Sequence, residues 1–251
     1  MWKSLHASEV GTSHRASGLP CQDAAGVRRL VVRGAEHLLI AICDGAGSAE
    51  LAHEGARFVV DHWLDTAAVE LHLESAVSED AISALAETCH EALLKLARER
   101  NKKARDFACT LLTAVLGPDE SIFFQLGDGV WVQQNGDELS AVTWPHQGEF
   151  AGETVFLTSA DRQRHYQIQK RPTGEAVAGL TDGLERLAVN FASRTPLPGF
   201  FRPMWSALKQ SNDPALASQL ARFLDSEPVN NRTDDDKTLV LVVRSSHEGQ
   251  R

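Results

Sequence analysis

The hydrophobic pattern changes period several times along the chain, and each change predicts an element. Trp2, Leu5 and Ala7 mark a first short strand within residues 1–10. Residues 11–23 are rich in Gly, Ser and Pro, have no period, and predict a loop ending on the carboxylate of Asp23. Two apolar runs, 26–33 and 37–43, predict strands around a turn at Gly34-Ala35. After Ser48 the period becomes helical. Ala52, Gly55, Ala56, Val59, Val60 and Trp63 recur on one stripe, so 49–66 predicts a helix capped by Ser48 with Glu50 in its first turn. A second helix is expected over 79–103, capped by Ser78, with Ile82, Leu85, Ala86, Cys89, Leu93 and Leu96 inward. Arg98, Arg100, Lys102 and Lys103 load its end with the charge that suits the helix dipole, a simpler account than a phosphate-binding patch.

Beyond that helix the period shortens to two. Residues 108–116, 121–126, 130–134, 153–158, 175–181 and 238–244 predict strands. Gly127-Asp128-Gly129 and Asn135-Gly136-Asp137 read as hairpin turns. Residues 143–152, with Trp144, Pro145, His146 and Gly148, read as an irregular surface loop. Residues 194–204 read as Pro-rich and irregular, anchored by Phe200, Phe201 and Trp205. Helices are expected over 184–190 and 214–226, the latter with Leu216, Leu220, Phe223 and Leu224 inward, and a disordered tail over 245–251. Strands joined by short turns are antiparallel, which excludes a doubly wound nucleotide-binding fold. The expectation is one α+β domain over 1–244, with two antiparallel sheets and helices outside.

Composition narrows the function. The chain has 251 residues, 43% hydrophobic and 24% charged, enough apolar material for a substantial core. A net charge of -9 argues against nucleic acid and against an anionic membrane as partners. No stretch is apolar for long enough to span a membrane and the start has no apolar signal core, so a cytoplasmic protein is expected. Cys21, Cys43, Cys89 and Cys109 form no C-x-x-C pair and read as reduced, packed thiols. The histidines lack the spacing of a zinc-protease helix.

The acids carry the chemistry. Asp44-Gly45, Asp128-Gly129 and Asp182-Gly183 each follow an apolar strand. Asp23 precedes a strand, and Asp234-Asp235-Asp236 precedes the last one. Taken singly, each is an ordinary turn acid. Gathered at one sheet edge, five carboxylates would repel one another unless protonated or bound to cations. An oxygen-only donor set selects Mg²⁺ or Mn²⁺ over zinc, and two such ions suit phosphoryl transfer. Spacing alone leaves both readings open.

The motifs D-G-A-G-S, E-G-A, L-G-D-G, L-T-D-G-L-E and T-D-D-D-K-T-L-V-L-V-V occur in that order. Together they resemble the signature of the metal-dependent Ser/Thr protein phosphatases of type 2C, and G-T-S-H…G-L-P-C-Q-D resembles the start of a bacterial subgroup. The resemblance implies a four-layer α-β-β-α sandwich with two central antiparallel sheets. It also implies two Mn²⁺ or Mg²⁺ ions, with a third in some members. Asp44 would bridge the pair and Gly45 would offer its carbonyl. Asp23 would serve one ion, and Asp182 and Asp235 the other. Asp128 matches the third-ion position. Asp44 and Asp23 would thus be catalytic, through a metal-activated water that hydrolyses phospho-Ser/Thr without a phosphoenzyme. Phosphorylated proteins would be the substrates, and a Ser/Thr protein kinase the counterpart. Two departures stand out. Gln22 occupies a position where many members have Glu, and the upstream Arg clamp is absent, leaving His14 and Arg15, of which His14 is the expected phosphate contact. The alternatives are a catalytically silent homologue that binds phosphoproteins or a kinase, and a phosphatase of small molecules.

Overall fold

The computed structural model describes residues 1–74, 78–145, 154–211 and 213–245, so the expectations for His146, Gly148 and the tail beyond 245 lie outside the described residues. Strand β1 (Trp2–Glu9) leads into helix α1 (Thr12–Ser17) and the hairpin β2 (Ala24–Val32) and β3 (Ala35–Cys43). Helices α2 (Ala52–Glu74) and α3 (Glu79–Glu99) follow. Then come β4 (Leu111–Leu116), β5 (Glu120–Leu126), β6 (Val130–Asn135), β7 (Glu138–Ala141), β8 (Gln167–Pro172) and β9 (Ala176–Leu180). The last third holds α4 (Glu185–Ala188), a short ladder of β10 (Val189–Asn190) and β11 (Thr195–Pro196), α5 (Pro198–Gln210), α6 (Ala215–Leu224), α7 (Glu227–Asn230) and β12 (Lys237–Arg244).

Two antiparallel sheets, ordered β1-β12-β9-β6-β7 and β2-β3-β4-β5-β8, lie face to face. Their central strands are apolar on both faces because both faces are covered. In β3, Leu39, Ala41 and Cys43 pack with Trp63 of α2 and Leu93 of α3. Leu38, Ile40 and Ile42 point the other way and join Trp131, Val177 and Val240 of the opposite sheet. In β12, Leu239, Leu241 and Val243 pack against Phe201, Trp205 and Leu220 of α5 and α6. The layers are therefore α-β-β-α, as expected. Each fully buried Leu or Ile stabilises this body by about 1.5–3 kcal/mol.

Several boundaries differ from the sequence reading, each for a physical reason. The expected loop 11–23 contains α1, held by Ser13 N–H donating to the Asp234 carbonyl at 3.0 Å and closed by Gly18 at φ 70°. The β2–β3 turn is Arg33-Gly34, whose φ values of 51° and 82° suit the twist of a two-residue hairpin. Helix α2 starts at Ala52 without Ser48, because Leu51 N–H is taken by the Asp106 carbonyl at 2.7 Å. Ser78 does cap α3, accepting from Ala81 N–H at 3.0 Å. Past that helix, Lys102 and Arg100 reach Glu50 and Glu54 at 2.5 and 3.5 Å.

Residues 154–158 form no strand, and Leu157 N–H donates to the Cys109 carbonyl at 2.8 Å. Strand β8 instead forms from the polar Q-I-Q-K-R-P, a composition that suits a sheet edge. Residues 198–210 are helical despite two prolines, with Pro198 at the first turn where its missing N–H costs nothing. Phe201 and Trp205 anchor that helix, whereas Phe223 of α6 is 40% exposed rather than inward.

Candidate metal centre

The acids gather where strands of both sheets end. Asp44 follows β3 and is fixed through its backbone: its N–H donates to Thr110 Oγ1 at 2.9 Å and its carbonyl accepts from Thr110 N–H at 2.8 Å. Gly45 forms a bridge with Cys109. A Cβ at Gly45 would lie 2.6 Å from the Gln22 carbonyl oxygen and 2.9 Å from Ala52 Cβ, so the turn admits no side chain. Gly127-Asp128-Gly129 corrects the sequence reading. β5 pairs with β4 and β8, while β6 pairs with β7 and β9, so this turn carries the chain from one sheet to the other and closes no hairpin. Asp128 thereby stands at the junction of the sheets. Asp182 follows β9, and a Cβ at Gly183 would sit 1.9 Å from the Asp236 carbonyl oxygen. That close approach draws the segment before β12 against the β9 end.

Asp44, Asp128 and Asp182 each offer a carboxylate oxygen within 4.8 Å of the other two. Asp23 stands beside them, its Oδ2 accepting from the Thr181 hydroxyl at 2.8 Å. Thr154 donates its hydroxyl to Asp128. Asp23 Oδ1, Asp182 Oδ1 and Gln22 Oε1 are buried without a partner. Among the described residues, Asp23, Asp44, Asp128 and Asp182 make no ion pair. The electrostatics follow. Burial, reinforced by the carboxylates of Asp23, Asp182 and Asp128, holds the Asp44 carboxyl well above the usual range. Burial does the same for Asp23, with Asp236 and Asp182 adding to it. Asp182 is pushed up to about 7 by burial and then by Asp128 and Asp235. Glu185 is pushed up to about 7 by burial, Asp182 and Asp128. Orphaned carboxylate oxygens, an all-oxygen donor set and the lack of an ion pair among the described residues fit a hard divalent cation.

Asp235, expected as a ligand, lies outside the close triad and shares a cleft with Asp182. Asp128, expected at a weaker ion, lies inside it. His14 lies between Asp236 and the D-G-A-G-S turn. Its Nδ1 is 3.0 Å from Asp236 Oδ2, and its Nε2 lies 4.0 Å from where a Cβ of Gly47 would be. That distance is ordinary van der Waals contact. Arg15 is turned to Asp225, at 2.8 Å.

The sequence reading missed Asp236. This side chain is 2% exposed and accepts from Gly11 N–H at 2.6 Å and Gln22 N–H at 2.5 Å as well as facing His14. It ties the start of the chain to the last strand. Nothing in a run of three Asp distinguishes it. Thr181 was also missed, though its place beside an Asp-Gly pair after a buried strand was a usable signal. Its hydroxyl donates to Asp23 and accepts from Thr238 N–H at 3.0 Å.

Comparison with known proteins bears on this arrangement. The sequence profile of the family described as Protein phosphatase 2C matches residues 10–225. Serine/threonine-protein phosphatase 3 of Escherichia coli (strain K12) is 35% identical over 253 residues, covering 96% of this chain and 98% of that one. The crystal structure of serine/threonine phosphatase Stp1 from Staphylococcus aureus matches with a TM-score of 0.66 at 16% identity, over 98% of this chain and 96% of that one. RsbX in complex with magnesium matches with a TM-score of 0.58 at 16% identity, over 96% and 94%. At such identities these two structures speak to the fold alone.

Proposed function

The chain belongs to the protein phosphatase 2C family, and from that premise we propose that it is a Mn²⁺- or Mg²⁺-dependent phosphatase of phosphoserine and phosphothreonine in proteins. The observation that carries the reading is the triad of Asp44, Asp128 and Asp182, with carboxylate oxygens within 4.8 Å of one another and no ion pair to any of them among the described residues. The name of the Escherichia coli relative supports the substrate class.

In this reading Asp44, Asp23, the Gly45 carbonyl, Asp182 and Asp235 would hold two ions, Asp44 serving both. Asp128 serves a third ion or completes the pair. Bound cations supply charge neutralisation and a water acidic enough to attack phosphorus. The chain supplies the rest. Thr110 fixes Asp44 through two backbone bonds, so the carboxylate needs no reorganisation. Thr181 orients Asp23. Asp236 holds His14 through Nδ1, which leaves Nε2 directed at the D-G-A-G-S loop as a phosphate contact. We place the catalytic domain over 1–244, in the cytoplasm, opposite a Ser/Thr protein kinase.

The test is phosphate release from p-nitrophenyl phosphate and from a phosphothreonine peptide, with Mn²⁺ and with EDTA. Turnover should need Mn²⁺ and should vanish in Asp44→Asn. Full activity in EDTA, or in Asp44→Asn, overturns the reading.

A further inference from the structure

Next to the acid triad a cleft of about 370 Å³ opens between α4 and the segment 230–235. Asp182 and Asp235 are among the residues that line it, and Arg186 and Arg232 are the cations there. Arg186 lies on α4, four residues after Asp182, and Arg232 lies three residues before Asp235. Both are exposed, and neither makes an ion pair or side-chain hydrogen bond among the described residues. Two other cations are already engaged, Arg15 with Asp225 at 2.8 Å and Lys237 with Asn230 Oδ1 at 2.7 Å.

We propose that this cleft receives the polypeptide flanking the phosphoresidue, and that Arg186 and Arg232 select carboxylate side chains there. The proposal rests on the phosphatase reading, because it takes the phosphoresidue to sit at the triad. An extended chain advances about 3.3 Å per residue, so the neighbours of a residue at Asp182 must pass along the adjoining wall. A guanidinium presents a planar fork that matches a carboxylate with two parallel hydrogen bonds, and both forks here are unclaimed. The opposing charges are weakened. Cations would occupy Asp182 and Asp235, which leaves Glu185 as one opposing acid in the cleft. Asp234 is the other. The two guanidiniums are thus an unpaired cationic couple in a chain whose net charge is -9.

The test uses two phosphothreonine peptides that differ only in flanking residues, Glu in one and Lys in the other, on the full Mn²⁺-loaded chain. The expected result is a kcat/KM ratio of about tenfold in favour of the Glu peptide, falling to about one or inverting in Arg186→Glu/Arg232→Glu. Arg186→Lys/Arg232→Lys should keep the sign of the preference at reduced size, and an unchanged melting temperature in both variants checks the fold. Fluorescence anisotropy of labelled peptides carrying a non-hydrolysable phosphonate in place of the phosphate, on the Mn²⁺-loaded chain, gives the preference without turnover. Equal use of the two peptides, preference for the Lys peptide, or a ratio unmoved by charge reversal overturns the proposal. Absence of Mn²⁺-dependent release of phosphate from p-nitrophenyl phosphate by the unaltered chain is a separate outcome and removes the phosphatase reading itself.

Discussion

From Leu38 to Cys43 every side chain of β3 is buried, packed against the helices on one face and the opposite sheet on the other. One residue further, Asp44 faces the carboxylates of Asp23, Asp128 and Asp182. The body of the sandwich and its acid edge share the same strands yet are held in opposite ways. In the body, neighbours reinforce one another. Trp131 fills the space over Gly179, lies 5.6 Å from the Phe123 ring and donates its indole N–H to the Phe124 carbonyl at 3.1 Å. At the edge, neighbours repel, and buried oxygens of Asp23 and Asp182 lack partners. The body stores the stability that lets the edge keep an arrangement unfavourable to folding.

Mutation can break this division at several points. The largest effect is expected for Asp44→Asn, with phosphate release falling at least about 10⁴-fold, equivalent to about 5.5 kcal/mol of barrier. Its melting temperature without metal should hold or rise, because one repelling charge is gone, and a fall of many degrees would contradict the division. Trp131→Ala should do the reverse. Urea unfolding should show a loss of about 3–5 kcal/mol, while the activity of the molecules still folded persists. Thr181→Val tests the boundary between the regions. It removes the donor to Asp23 and the acceptor of Thr238 N–H, so a cost of about 1–3 kcal/mol should accompany reduced turnover. A variant with full activity would show that Asp23 needs no such support.

The smallest effect is a pH dependence of the metal-free chain. Asp182 rises from an ordinary 3.8 to about 7 on folding. Between those values the folded chain keeps a proton that the unfolded chain releases, so stability is fully present at the acid end and is lost as pH rises through about 7. The melting temperature in EDTA should therefore fall between about pH 5 and pH 8, and saturating Mn²⁺ should remove or reverse that slope. A metal-free melting temperature that climbs over this range would show that the edge is not the strained part.

What the sequence disclosed follows the same division. Strands β3, β4, β9 and β12 were legible because burial on both faces leaves near-continuous apolar runs. The polar edge strand β8 left no such trace, and the prolines of α5 concealed the amphipathic stripe of Phe201, Trp205 and Leu208. The acids of the triad were visible as Asp-Gly pairs after apolar runs. Their company was less so. Gly127-Asp128-Gly129 and Asn135-Gly136-Asp137 look alike as turns, yet only the second joins paired strands. Turn residues set the local bend, while the sheet that the next strand joins is decided by distant packing, in this case by Trp131 against Phe123 and Gly179. Asp236 was hidden for the same reason, since its donors come from residues 11, 14 and 22.

The pairing of β1 with β12 has a consequence in time. Trp2–Glu9 lies alongside Lys237–Arg244 over its full length, and β12 is an interior strand of its sheet, between β1 and β9. During synthesis the first strand emerges long before its neighbour exists, and the gap beside β9 stays open until the last strand leaves the ribosome. Asp235 and Asp236 travel with that strand, so Gly11, His14 and Gln22 have nothing to dock against until then. A nascent chain therefore carries most of its hydrophobic body before it can carry a finished centre, and hydrolysis begins only once the chain has closed on itself.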